Sequence, residues 1–277
     1  MRLASVPPTG PLLSLGGGNP QPTAVGVQSI ASAIGWFSGV AVTGEADECL
    51  PHGCVANCGS GLGNDSYTFQ MNTNVQFTTP VVASLCTGSS NPSGCSGWQQ
   101  FIYVNTPNLL WTTGVEMEYF LLGYGSNACP NSWQSDNNGN CTKFSQTSNW
   151  VLSNRSAADA MQNYWLEGDW VDGGSPSQDQ DVAIFSNSTS MIESVEQPSA
   201  LDIGSKWTSA DFNVLGYGNG STAAFDTGTT ATANVATCVS GTCSPGITVG
   251  ANCSVPSQSD TCETNNLDLV GGCCPTG

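Results

Sequence analysis

The sequence predicts an all-β protein in which two antiparallel sheets pack as a sandwich. Three observations predict it. Stretches alternating apolar and polar residues with a period of two recur along the 277-residue chain. Clusters of Gly, Asn, Ser and Pro, such as Ser89-Ser90-Asn91-Pro92 and Asp136-Asn137-Asn138-Gly139-Asn140, separate them. Only Ser156 to Trp165 carries a helical pattern. Period two gives each strand one buried and one polar face, and many short strands between turns close into a two-sheet sandwich or a barrel. The length suits one large β domain with an extension.

In chain order, residues 1–45 read as an uncharged N-terminal extension or propeptide, since no charge occurs between Arg2 and Glu45. Val25, Val27, Ile30, Ile34, Trp36, Phe37, Val40 and Val42 make part of it mildly apolar, but Gln28, Ser29, Ser32, Ser38 and three glycines interrupt it. A spanning helix needs ~20 strongly apolar residues, so membrane insertion is not expected. An arm of this kind could also add a strand to a neighbouring molecule and drive self-assembly. Residues 46–66 read as a Cys/Gly-rich connector, and residues 67–277 as the sandwich. Its first strand places Tyr67, Phe69, Met71, Val75 and Phe77 on one side, with Thr68, Gln70, Asn72, Asn74 and Gln76 on the other. Trp98 to Val104 is the next. In Val115 to Leu122, Val115, Met117, Tyr119 and Leu121 oppose Glu116 and Glu118. Shorter strands are expected at Tyr164 to Val171, Asp181 to Phe185, Met191 to Val195, Asp211 to Leu215, Ala223 to Phe225, Ala231 to Thr237 and Leu267 to Val270.

Composition bounds the function. Four Lys and Arg against 21 Asp and Glu give a net charge of −17. Four cations cannot neutralise a phosphate backbone, which excludes nucleic acid as a partner, and they cannot hold an anionic membrane. Ion pairs can contribute little to stability, so burial and covalent links must carry it. Thirteen cysteines in such a chain read as disulfides formed in an oxidising compartment, hence a secreted, extracellular protein. Cys86 with Cys95 and Cys129 with Cys141 flank turns and are expected to pair locally, and Cys273-Cys274 could tie the tail to the sheet. Asn64, Asn140, Asn154, Asn187, Asn219 and Asn252 begin Asn-x-Ser/Thr sequons. Cys49, Cys54 and Cys58 surround the only histidine, His52, but lack a Cys-x-x-Cys knuckle, so neither a metal nor another cofactor is expected. Carboxylates crowded at net −17 repel one another at neutral pH, and protonation relieves that repulsion, so acid tolerance is expected.

With one histidine, proton transfer falls to carboxylates. Glu116, Glu118, Glu167, Asp169 and Asp211 alternate with apolar residues and project from polar strand faces. Glu116 and Glu118 lie about 7 Å apart along one strand, near the spacing of paired carboxylates that hydrolyse glycosides. Trp98, Trp111, Trp165, Trp170 and Tyr119 could offer rings to sugars, with amides such as Gln70 reading hydroxyls.

Val115-Glu116-Met117-Glu118-Tyr119-Phe120-Leu121-Leu122-Gly123-Tyr124-Gly125 resembles the nucleophile strand of jelly-roll cellulases and xylanases. Cys95-Ser96-Gly97-Trp98-Gln99-Gln100-Phe101 and Trp207-Thr208-Ser209-Ala210-Asp211-Phe212 resemble two elements of the glutamic peptidases, secreted acid proteases with a lectin-type, concanavalin-like sandwich, with Asp211 where that family has Glu. The second resemblance implies that Asp211 activates a water and that Gln100, or Gln99 in its place, donates to the oxyanion. A broader group of secreted β-sandwich proteins resembles the chain through Tyr67-Thr68-Phe69-Gln70-Met71-Asn72-Thr73, Gly97-Trp98-Gln99-Gln100-Phe101, Cys129-Pro130 with Trp133, and Glu263-Thr264-Asn265-Asn266-Leu267; it implies no activity. The function expected is an acid-tolerant, peptidase-like hydrolase with a Gln/carboxylate dyad. The alternatives are a sandwich that binds or hydrolyses polysaccharide and a subunit of an extracellular filament or surface assembly. Catalytic candidates are Gln100, Asp211, Glu116 and Glu118; substrate-binding candidates are Gln70, Trp98, Tyr119 and Trp170.

Overall fold

The structure is a computed structural model. It describes residues 23–25, 29–42, 44–48, 63–74, 76–107, 113–136, 138–145, 154–216, 222–225, 229–239, 242–245, 249–252 and 259–262. Within them the chain forms β1 (Thr23–Val25), β2 (Ser32–Ala41), β3 (Glu45–Glu48), β4 (Gly63–Asn64), β5 (Tyr67–Thr73), α1 (Pro80–Leu85), β6 (Ser96–Asn105), β7 (Gly114–Leu122), β8 (Gln134–Ser135) and β9 (Cys141–Phe144). It continues through α2 (Ala157–Asn163), β10 (Trp165–Val171), β11 (Gln180–Ser186), β12 (Met191–Glu196), β13 (Ser209–Leu215), β14 (Thr222–Phe225), β15 (Thr230–Val239), β16 (Thr242–Pro245), β17 (Val249–Asn252) and β18 (Ser259–Cys262).

Two antiparallel sheets pack together, as the alternation requires. Sheet 1 has the order β1-β13-β5-β6-β7-β9-β8; sheet 2 has β12-β11-β10-β2-β15-β16, with β17 also paired to β15. A smaller third sheet runs β18-β14-β3-β4. Strand parity sorts the side chains. Phe69, Met71, Phe101, Tyr103, Met117 and Phe212 turn inward from sheet 1, and Ala33, Phe37, Leu166, Phe185, Ala233 and Val235 meet them from sheet 2. Tyr103 stacks on Phe185 with centroids 3.7 Å apart, and Phe212 packs on Phe37 at 5.0 Å. Two glycines let the layers close. A Cβ at Gly35 would lie 2.1 Å from the Phe212 ring, and one at Gly168 would lie 2.4 Å from Phe101.

The segment read as an extension contributes to this core. Ser32–Ala41 is an inner strand of sheet 2, paired with β10 on one side and β15 on the other. Thr23–Val25 pairs with β13 at the edge of sheet 1. Alternation within Ala33-Ile34-Gly35-Trp36-Phe37 buries Ala33, Gly35 and Phe37, which is why this uncharged stretch serves as an interior strand.

Both helices carry side-chain caps. Thr79 Oγ1 accepts the N–H of Val82 at 3.0 Å, ahead of Pro80 at the first position. Ser156 Oγ accepts the N–H of Asp159 at 3.2 Å, and Arg155 pairs with Asp159 at 3.0 Å. The helix expected over Ser156 to Trp165 ends at Asn163, because β10 begins at Trp165. Disulfides join Cys86 to Cys95 and Cys129 to Cys141, as expected. Cys238 is also disulfide-bonded. Cys273, Cys274 and the strand expected at Leu267 to Val270 lie outside the described residues, as do Cys49, His52, Cys54 and Cys58. Among the described residues no helix is long and apolar enough to cross a membrane.

Candidate functional site

The outer face of sheet 1 is built by the residues of opposite parity. β13 contributes Asp211 and Asn213, β5 Thr68, Gln70 and Asn72, β6 Gln100 and β7 Glu116 and Glu118. Their register is continuous. Asp211 is the Cα partner of Asn72, Asn72 of Gln100, and Gln100 of Glu118. Four polar side chains therefore form one lateral row across four adjacent strands. The next row carries Asn213, Gln70, Ile102 and Glu116. At about 4.8 Å per strand, Gln100 lies one strand from Glu118 and roughly 10 Å, two strands, from Asp211.

Hydrogen bonds hold the amides in place. Gln100 Nε2 donates to Gln70 Oε1 at 3.0 Å and to Asn72 Oδ1 at 2.5 Å. Gln70 Nε2 donates to Thr68 Oγ1 at 3.1 Å, and the Thr68 hydroxyl donates to the Gly216 carbonyl at 3.2 Å. This chain ends on backbone, so the Gln100 amide is oriented by a fixed series of donors and acceptors. Burial is uneven along the row. Gln100 is 3% exposed and Glu118 1%, whereas Asn72 and Asp211 are only partly buried. Asn72 and Asp211 are therefore the more exposed members of the row.

The four catalytic candidates, Gln100, Glu116, Glu118 and Asp211, thus share one face. So does Gln70. Trp98 shares it too, but it stacks on Phe120 with centroids 4.6 Å apart and belongs with Leu122 to a small buried apolar cluster. It has no ring face open to a sugar. Tyr119, expected at a binding surface, has the parity of Met117 and Leu121 and points into the core with no exposure. Burial pushes its phenol well above the usual range, and Asp181 lies beside it. Gln99, the alternative oxyanion donor, also turns inward, next to Tyr119 in register. Trp170 packs half-buried against the core; a Cβ on Gly204 would fall 2.3 Å from its indole. For all three the reason is strand parity, which places Tyr119 and Trp170 opposite the carboxylates of their own strands and Gln99 opposite Gln100. Trp111 lies outside the described residues.

Two of the carboxyls singled out from the sequence stand on the far side of the sandwich. Glu167 and Asp169 project from the outer face of sheet 2, where the Ser32 hydroxyl donates to Glu167 at 3.2 Å. Burial raises both above the usual carboxylate range, and for Glu167 the neighbouring Asp169 charge adds to it. Asn72 and Asn213, neither singled out from the sequence as a site residue, complete the sheet 1 rows; each alternates in phase with a candidate on its own strand. The arrangement on sheet 1 supplies carboxylates to accept a proton and an amide that donates without titrating. That pairing can activate a water and stabilise an oxyanion. Comparison with protein-family models, curated proteins and solved structures gives no match.

Proposed function

We propose that the chain is a secreted, acid-tolerant hydrolase that cleaves peptide bonds through Gln100 and Asp211. The observation that supports it is the lateral row Asp211–Asn72–Gln100–Glu118 on one sheet face. Asn72 stands between Asp211 and Gln100, so a substrate that displaces the Asn72 side chain brings a carbonyl and a water between base and donor, whereas Glu118 stands directly beside Gln100. Asp211 deprotonates the water, which attacks the carbonyl carbon. The carbonyl oxygen takes the place of Asn72 Oδ1 as acceptor of a Gln100 N–H. Asn72 is the more exposed of the two amides that Gln100 contacts, so it is the one a substrate displaces. Disulfides among the described residues are compatible with an extracellular site of action.

The test is release of peptides from heat-denatured serum albumin at pH 3. Wild-type protein should cleave it, and Asp211→Asn and Gln100→Ala should each lower turnover by at least about 100-fold. Wild-type turnover in both variants ends this reading. A second reading rests on Glu116 and Glu118, which sit about 7 Å apart on the same face. That spacing suits inverting hydrolysis of a glycosidic bond, and loss of polysaccharide cleavage in Glu116→Gln with Asp211→Asn unaffected would favour it. Donation of the N-terminal arm to a neighbour is less supported, because Ser32–Ala41 is already paired on both edges within its own sheet.

A further inference from the structure

The outer face of sheet 2 has a different character from that of sheet 1. Parity places Trp36 and Ile34 of β2, Trp165, Glu167 and Asp169 of β10, and Ile184 of β11 on it. Trp165 and Trp36 are Cα partners, so two partly exposed indoles lie side by side across adjacent strands. Cross-strand partners hold their Cβ atoms about 5 Å apart. Along β10 the next residues on this face are Glu167 and then Asp169, roughly 14 Å from Trp165 to Asp169 by strand rise. Asp169 is the Cα partner of Ser32, whose hydroxyl reaches Glu167. Around them Met191 is 61% exposed, Val171 45% and Val195 39%. Exposed apolar side chains in such a group are uncommon on a face with no partner.

The chemistry of this face selects its occupant. It bears Glu167, Asp169 and Glu193. The chain has only four Lys and Arg, and of these Lys143 pairs with Glu196 and Arg155 with Asp159 on other surfaces. A polyanion would be repelled. A second copy docked face to face would set carboxyls against carboxyls. A neutral polysaccharide meets both halves of the pattern. Its C–H faces stack on indoles, and its hydroxyls donate to carboxyl oxygens, which are acceptors.

We propose that the outer face of sheet 2 binds a flat, neutral polysaccharide, with Trp36 and Trp165 as the stacking pair and Glu167, Asp169 and Ser32 as hydroxyl partners. The site is on the opposite side of the sandwich from the Gln100 row and does not depend on the hydrolase reading.

Depletion of the purified full chain onto microcrystalline cellulose, chitin and curdlan tests it. Wild-type protein should be depleted by at least one of the three. Trp36→Ala and Trp165→Ala should each weaken that binding about tenfold or more, and Asp211→Asn should bind as wild type does. Titration of wild-type protein with the matching soluble hexasaccharide should change tryptophan fluorescence, a readout that stands even where a tryptophan variant misfolds. No depletion by any of the three polymers overturns the proposal. So do tryptophan variants that bind as wild type. A concentration-dependent dimer that the tryptophan variants abolish would overturn it in favour of self-association.

Discussion

Asp181 is fully buried between the sheets, where its carboxylate accepts the Ser199 hydroxyl at 2.9 Å and the Ala200 N–H at 3.2 Å. These bonds favour the charged form, but burial outweighs them and pushes the group up to about 6 from 3.8. A carboxyl that holds its proton more tightly in the folded state adds stability below its unfolded value, and that stability is lost as pH rises through the folded value. For Asp181 the loss falls between about pH 4 and pH 6 and is on the order of 2–3 kcal/mol. Asp181→Asn should flatten the stability profile over that window in chemical denaturation; an unchanged slope would show that another group sets it. The sequence placed Asp181 at the head of an expected strand without marking it. Its parity with Ala183 and Phe185 was legible and pointed inward. Tyr119 was misplaced for the opposite reason: an aromatic ring suggests a platform, but its alternation with Glu116 and Glu118 already put it on the buried face. What no parity could give was the row itself. Register between strands far apart in sequence decides that Asp211 aligns with Gln100, and register is set by tertiary pairing.

At the level of elements, the strands from Tyr67 onward were readable because each has one polar face. Ser32–Ala41 was harder, since its outer face carries Ile34 and Trp36 and so lacks the alternation that marks a half-buried strand. It therefore looked like an appendage although sheet 2 is built around it. Gly35 marks how tightly it is packed. Gly35→Val should destabilise the fold by several kcal/mol, because Phe212 fills the space a side chain needs, and failure to fold would agree with this. Denaturant midpoints equal to wild type would show that the sheets are not so closely set. Ser156→Ala, which removes the cap of α2, should cost about 1 kcal/mol by the same measurement.

For the whole molecule, scarcity of cations shifts stability onto burial and disulfides. Opening Cys86–Cys95 by substituting both residues with Ser should cost about 2–4 kcal/mol, read from urea midpoints. Among the described residues, burial moves the carboxyls of Glu167, Asp169, Asp181 and Asp202 upward. Each therefore favours the folded state in acid. Together with the net charge of −17, this gives a melting temperature that should be higher at pH 4 than at pH 7. A maximum above pH 8 would contradict it. The hydrolase proposed above works in acid and needs such a scaffold; its proposed chemistry rests on the row on sheet 1. The most direct measurement is the initial rate of peptide release from denatured albumin at pH 3 for wild-type, Gln100→Ala and Asp211→Asn protein, each shown by circular dichroism to be folded. Cleavage by wild type, lost in both variants, is the predicted result; equal rates in all three, or none in wild type, would contradict it.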